Sequence, residues 1–197
     1  MKIKPIFSNF TAIEFLNINN DALASYCKEK YQQQQETGTG LSCFLDLEAP
    51  EIKQFIDAIN SNLKGLHNDL GFIKESHQEV AHAWININNN RFIDGAHSHA
   101  GFFFSGVYYV KSNENSGHIN FLNPNRELMS TIYPPMCTAP NSFNSATIRH
   151  EPTPGKLIIW PSWLLHYVDH NIGESERISI AFNTRIIMPD GTLDKWR

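Results

Sequence analysis

Three cysteines in 197 residues are too few, and the wrong parity, for a disulfide framework. Cys27, Cys43 and Cys137 lie far apart, which suits free thiols in a reducing compartment better than cross-links. Long apolar runs are also missing: none approaches the roughly 20 residues that a membrane helix needs. The opening stretch MKIKPI carries neither the apolar centre nor the cleavage pattern of a signal peptide, so a cytoplasmic location is expected. Surplus positive charge is absent as well. Sixteen Lys and Arg stand against 20 Asp and Glu, a net charge of −4. This balance excludes an electrostatic grip on a phosphate backbone, and no nucleic-acid or membrane partner is expected. No internal repeat is visible, and the length suits one packed domain over residues 1–197.

Within that domain the pattern changes character once. The stretch DALASYCKEKYQQQQE, residues 21–36, opens on a capping candidate, Asp21, and carries helix formers throughout. The next segment places Ile52, Phe55, Ile56, Ile59 and Leu63 at helical spacing, with Pro50 at its start and glycines at its end. From residue 80 the period becomes two. AHAWININ alternates Trp84, Asn86 and Asn88 with Ala83, Ile85 and Ile87, and FSGVYYV, SGHINFL, GKLIIW and RISIAFNTRI read as further short strands. The expected architecture is α+β: a helical N-terminal part over about 1–78 and an antiparallel sandwich or barrel over about 80–188. Residues 123–154, rich in Pro, Asn, Ser and Thr, read as a long loop, a candidate lid over whatever site the strands build.

One motif stands out in the strand region. His97 and His99 are two residues apart, so in an extended chain both imidazoles face the same side. His166 follows at the end of GKLIIWPSWLLH, and Arg177 in ERISIAFN. Neutral imidazoles are common ligands of first-row metals, and three from one barrel interior can occupy one face of an octahedron. Arg177 on the next strand is suited to grip a carboxylate with two parallel hydrogen bonds, and Ser179 on the same strand face adds a hydroxyl. Strand parity also turns Trp84, Asn86, Asn120 and Asn183 inward as cavity candidates. Asp169 and His170 read as loop residues beside His166. His67, His77, His82, His118 and His150 have no spacing partner and read as surface or structural residues.

The segments HSHAGFFFSGVYYV, SGHINF and GKLIIWPSWLLHYVDHNIGESERISIAFN together resemble the Fe(II)/2-oxoglutarate-dependent oxygenases, over roughly residues 84–186. The resemblance implies a double-stranded β-helix, a jelly roll of cupin type, with supporting N-terminal helices. It implies Fe(II) held by His97, His99 and His166, and 2-oxoglutarate as cosubstrate. Arg177 and Ser179 match the pair that binds the distal carboxylate of 2-oxoglutarate, and Tyr109 matches a strand Tyr that assists it. Asn120 and Asn183 join the candidate cosubstrate site. The sequence departs from most relatives at His99, where they carry a carboxylate. The implied activity is a dioxygenase that hydroxylates a small molecule or a protein side chain with dioxygen. Two alternatives stay open: a three-His dioxygenase without 2-oxoglutarate, and an idle cupin-like binding protein. A homodimer is compatible with the sequence.

Overall fold

The computed structural model describes residues 8–37, 42–88, 94–125, 137–139 and 141–189. Two helices precede most of the strands. Helix α1 spans Asn20–Thr37 and α2 spans Pro50–Asp69. The cap of α1 is Asn19, whose Oδ1 accepts the Ala22 N–H at 3.1 Å; Asp21, expected as the cap, lies in the first turn. There its charge meets the positive end of the helix dipole. Leu23 and Cys27 are buried one turn apart on α1. Ile52, Phe55, Ile56, Ile59 and Leu63 form the buried stripe of α2, as their spacing predicts. Pro50 occupies the first turn, where its missing N–H costs nothing.

The strands are β1 Ala12–Phe15, β2 Cys43–Phe44, β3 His77–Asn88, β4 Asp94–His97, β5 Phe104–Lys111, β6 Ile119–Leu122, β7 Thr147–His150, β8 Lys156–Pro161, β9 His166–Val168 and β10 Arg177–Ile187. They make a six-stranded sheet in the order β1-β8-β5-β10-β3-β2 and a four-stranded sheet in the order β4-β9-β6-β7. All their pairings are antiparallel. This is a double-stranded β-helix.

Two features depart from the sequence reading. The N-terminal part is not purely helical, because β1 and β2 run along the two edges of the large sheet. The presumed lid is not all loop either: residues 147–150 form β7, paired with β6. Residues 126–136 and 140 of that segment lie outside the described residues.

The two faces of the large sheet do different work. Ile85, Tyr108, Leu157, Ile159, Ile178 and Ile180 pack with α1 and α2 in the main core. The opposite face contributes Val107, Tyr109, Ile158 and Trp160 to a second cluster, completed by Ile119 and Phe121 of the small sheet. Gly106, the glycine of SGVYY, is explained here. A Cβ at that position would stand 2.1 Å from Cζ of Phe182, a ring with no exposed surface. Gly106→Ala is therefore expected to destabilise the protein by about 1–3 kcal/mol through overpacking. A thermal melt of the variant measures this loss, and a wild-type melting temperature would refute it.

Candidate functional site

Antiparallel pairing of β4 with β9 sets His97 opposite His166, and their ring centroids lie 4.4 Å apart. Just after β4 the chain is pinned by the His99 N–H, which donates to the Ser162 carbonyl at 2.8 Å. The His99 ring lies 5.0 Å from that of His97 and 5.2 Å from that of His166. One ligand nitrogen from each histidine falls within 4.8 Å of the others. The same-side placement of the H-x-H pair thus meets a third imidazole that arrives from 67 positions further along the chain. Trp160 packs edge-on against His166 at 4.9 Å, and Trp84 flanks His99 at 5.9 Å.

The protonation of this cluster suits a metal. His97 Nδ1 lies 2.7 Å from the Gly95 carbonyl, and His166 Nδ1 lies 3.0 Å from that of Leu164. A carbonyl only accepts, so each Nδ1 carries a proton, and in the neutral ring Nε2 is then the nitrogen that can coordinate. Burial pushes the His99 pKa down to about 4, and the neighbouring His166, His97 and His82 rings add to the effect. His99 is therefore a neutral donor at pH 7.

This depression has a consequence for acid stability. His99 resists protonation in the folded protein, whereas the unfolded chain takes up the proton near the ordinary pKa of about 6.5. Stability is full above pH 6.5 and drains away as the pH falls towards 4. The metal-free protein should lose melting temperature over that interval, and His99→Gln should lose less. Parallel curves for the two proteins would contradict the assignment.

The far side of the same cavity is built by β10, β3 and β5. Arg177, Ser179 and Ala181 line it from β10, and Trp84, Asn86 and Asn88 from β3. The inward parity read for Trp84 and Asn86 agrees with this. Ser179 is paired in register with Tyr109 of β5 and with Asn86 of β3. Arg177 is 4% exposed, and its Nη1 donates to the carbonyls of Ser116 at 2.6 Å and Gly117 at 3.4 Å, which fix the guanidinium. Gly117 adopts φ +80°, and a Cβ there would stand 2.4 Å from the Asp169 carbonyl oxygen, so glycine is required at this turn. Tyr109 is 2% exposed; burial raises its pKa, opposed by the Arg177 charge, so its phenol stays protonated as a hydrogen-bond donor.

Other candidates fall elsewhere. Asn120 lies between Ile119 and Phe121, both of which pack in the inner cluster, so it sits on the opposite face of β6. Its amide turns back to the His118 carbonyl at 3.1 Å. In a strand a shift of one residue reverses the face, and here the inward positions of β6 are 119 and 121. Asn183 does point to the site, but at its histidine end: Nδ2 lies 3.5 Å from His99 Nδ1, away from Arg177 on the same strand. Asp169 stands 3.9 Å from His118 and is not part of the histidine cluster. His67, read as surface or structural, is structural: it is 1% exposed and bonded to Ser76.

Sequence reasoning missed three residues around His99. His82 is half-buried, with Nε2 3.1 Å from Asn183 Nδ2. Ser105 Oγ donates to Asn183 Oδ1 at 2.7 Å and lies 2.8 Å from Ser162 Oγ. Both serines belong to the SGVYY and PSW segments, where their hydroxyls are the available signal.

A family model described as "Putative 2OG-Fe(II) oxygenase" matches residues 82–183, more than half of the chain. The chain belongs to this family. Its cofactors are Fe(II) and 2-oxoglutarate, and among the described residues the cluster of three imidazoles is a candidate to hold the metal. Solved structures share the fold. A Pseudomonas putida prolyl-4-hydroxylase is 13% identical, with a TM-score of 0.60 over 89% of this chain and 88% of that one. The non-heme alpha ketoglutarate dependent carbocyclase SnoK from nogalamycin biosynthesis is 9% identical, with a TM-score of 0.61 over 92% and 83%. The epimerase SnoN from the same biosynthesis is 12% identical, with a TM-score of 0.59 over 93% and 80%. No curated protein sequence matches the chain. Among the described residues of this oxygenase, no helix is long and apolar enough to cross a membrane.

Proposed function

We propose that this oxygenase, acting as one domain, couples oxidative decarboxylation of 2-oxoglutarate to hydroxylation of a small-molecule or protein side-chain substrate. The observation that carries the reading is the shared cavity, lined by three clustered imidazoles together with Arg177, Ser179 and Tyr109. The donor set fits the metal, because His97 and His166 hold their Nδ1 protons on carbonyls and present Nε2. When bound, Fe(II) and 2-oxoglutarate supply the activation of dioxygen; succinate, CO2 and the hydroxylated substrate are the products.

The chain's own residues bind and orient. His97, His99 and His166 hold the metal. Arg177, kept rigid by the Ser116 and Gly117 carbonyls, grips the distal carboxylate of 2-oxoglutarate. Ser179 and the Tyr109 phenol donate to the same group, as their register with each other supports. Trp160, Ile119 and Val107 give the cavity an apolar wall that disfavours water. Three imidazoles bring no negative charge, so the dianionic cosubstrate supplies the neutralisation that relatives obtain partly from a carboxylate ligand.

The three-His donor set also suits a dioxygenase that uses no 2-oxoglutarate. The buried Arg177 favours the anionic cosubstrate, because a guanidinium held on the cavity wall by the Ser116 and Gly117 carbonyls is suited to a carboxylate. A cytoplasmic location fits Cys27, Cys43 and Cys137, all three of which are free thiols. The test is succinate formation with Fe(II), dioxygen and 2-oxoglutarate, without added prime substrate. Slow uncoupled turnover is expected; its absence together with metal-dependent oxygen uptake would transfer the assignment to the cosubstrate-free reading.

A further inference from the structure

The third histidine is held differently from the other two. His97 and His166 rest Nδ1 on backbone carbonyls, whereas His99 Nδ1 faces the side-chain amide of Asn183. That amide is 2% exposed and sits at the centre of a small network. Ser105 Oγ holds one end of it, His82 Nε2 faces the other, and Ser105 Oγ in turn meets Ser162 Oγ. Ser162 closes the loop, because its carbonyl accepts the His99 backbone N–H. Ring and backbone of His99 are thus tied to the same buried corner.

The backbone is shaped for this arrangement. The register of β10 against β3 shifts between Asn183 and Thr184: Asn183 pairs with His82 and Thr184 with Val80, leaving Ala81 as the extra residue. Such a bulge re-aims side chains and recurs beside active sites. Asn183 pairs with His82 in the same unbroken register that pairs Ala181 with Trp84, so both side chains face the cavity beside His99. The bulge comes immediately after this pair and returns Val80 to the helix-facing core.

We propose that Asn183 is a positioning residue for the metal: its amide oxygen accepts the His99 Nδ1 proton and leaves Nε2 bare for coordination. The inference rests on reading His99 as a ligand. An amide has a donor end and an acceptor end, exchanged by a half-turn about Cβ–Cγ. With Nδ2 towards His99, Nδ1 must accept, the ring proton moves to Nε2, and the metal is refused. With Oδ1 towards His99, Nδ1–H donates and Nε2 is free. Nδ2 then donates to Ser105 Oγ, whose own proton turns to Ser162 Oγ. The His82 Nε2–H shares the same oxygen. Metal loading selects this orientation, and the serine pair accommodates either one by rotating two hydroxyls.

The claim is tested by titrating the metal-free protein with Co(II), whose visible absorption reports coordination without turnover. Asn183→Asp offers oxygen in both positions and should bind Co(II) as tightly as wild type or tighter. Asn183→Leu offers no acceptor and should bind about 10–100-fold more weakly, the usual effect of losing a ligand's hydrogen-bond partner. An exchangeable His99 Nδ1–H resonance, shifted by the paramagnetic metal, should persist in the Asp variant and vanish in the Leu variant. Equal losses in both variants, or none in Asn183→Leu, would overturn the proposal. If the Leu variant does not fold, tenfold weaker binding by Asn183→Asp overturns it alone. His99→Ala separates the two levels: unchanged Co(II) affinity there removes His99 from the ligand set itself. Loss there combined with wild-type affinity in Asn183→Leu removes only the role of Asn183.

Discussion

His166→Gln is expected to abolish Fe(II) binding at micromolar metal while leaving a folded protein. Of the three proposed ligands, His166 alone comes from the second half of the β core, and it is the most deeply buried, at 3% exposure. Removing it leaves only His97 and His99, and the loss should exceed the ~100-fold that an outer-shell change costs. The glutamine is chosen because His166 also packs, against Trp160 and Phe121. Truncation to Ala would add a cavity cost on the order of 2 kcal/mol to the lost ligand. Calorimetric titration with Fe(II) under anaerobic conditions, alongside a melt of the metal-free form, separates binding from folding. Wild-type affinity in a folded His166→Gln would remove it from the ligand set.

Arg177→Ala should raise the apparent KM for 2-oxoglutarate about 10- to 100-fold, the equivalent of one charge-assisted hydrogen bond at about 1.5–3 kcal/mol. Iron affinity should stay within a few fold of wild type, since Arg177 sits at the opposite end of the cavity from the histidines. Arg177→Lys keeps the charge but loses the fork, and recovers only part of the loss. The Ser116 and Gly117 carbonyls that the guanidinium now satisfies are left for water in the Ala variant, so its melt is measured as well. Uncoupled succinate formation is the readout. A KM that does not respond to Arg177 would refute the anchor and leave its burial unexplained.

Most of what places this protein was carried by local pattern. Helical spacing marked the buried stripe of α2 because its neighbours in space are also neighbours at i+3 and i+4. Period-two alternation marked β3 and β10, and with them the inward faces of Trp84, Asn86, Arg177 and Ser179, because a strand's facing is a property of its own backbone. His97 and His99 are joined by that same local geometry. The order of motifs along the chain then pointed to the family and its cofactors.

The errors and omissions share another origin. Asn19 rather than Asp21 caps α1, since a cap is decided by where the first helical turn closes and not by residue type alone. Residues 147–150 look like loop in isolation and become a strand only through pairing with β6. Asn120 took the wrong face because the register of a four-residue strand is set by its partners. Only the tertiary structure brought His166 across β9 to His97, seated Arg177 on the Ser116 and Gly117 carbonyls, and gathered His82, Ser105, Ser162 and Asn183 around His99. Those contacts span from 57 to 101 positions along the chain. Periodicity is blind to them, because they are made by the packing of one sheet against another and by cross-strand pairing that no single strand encodes.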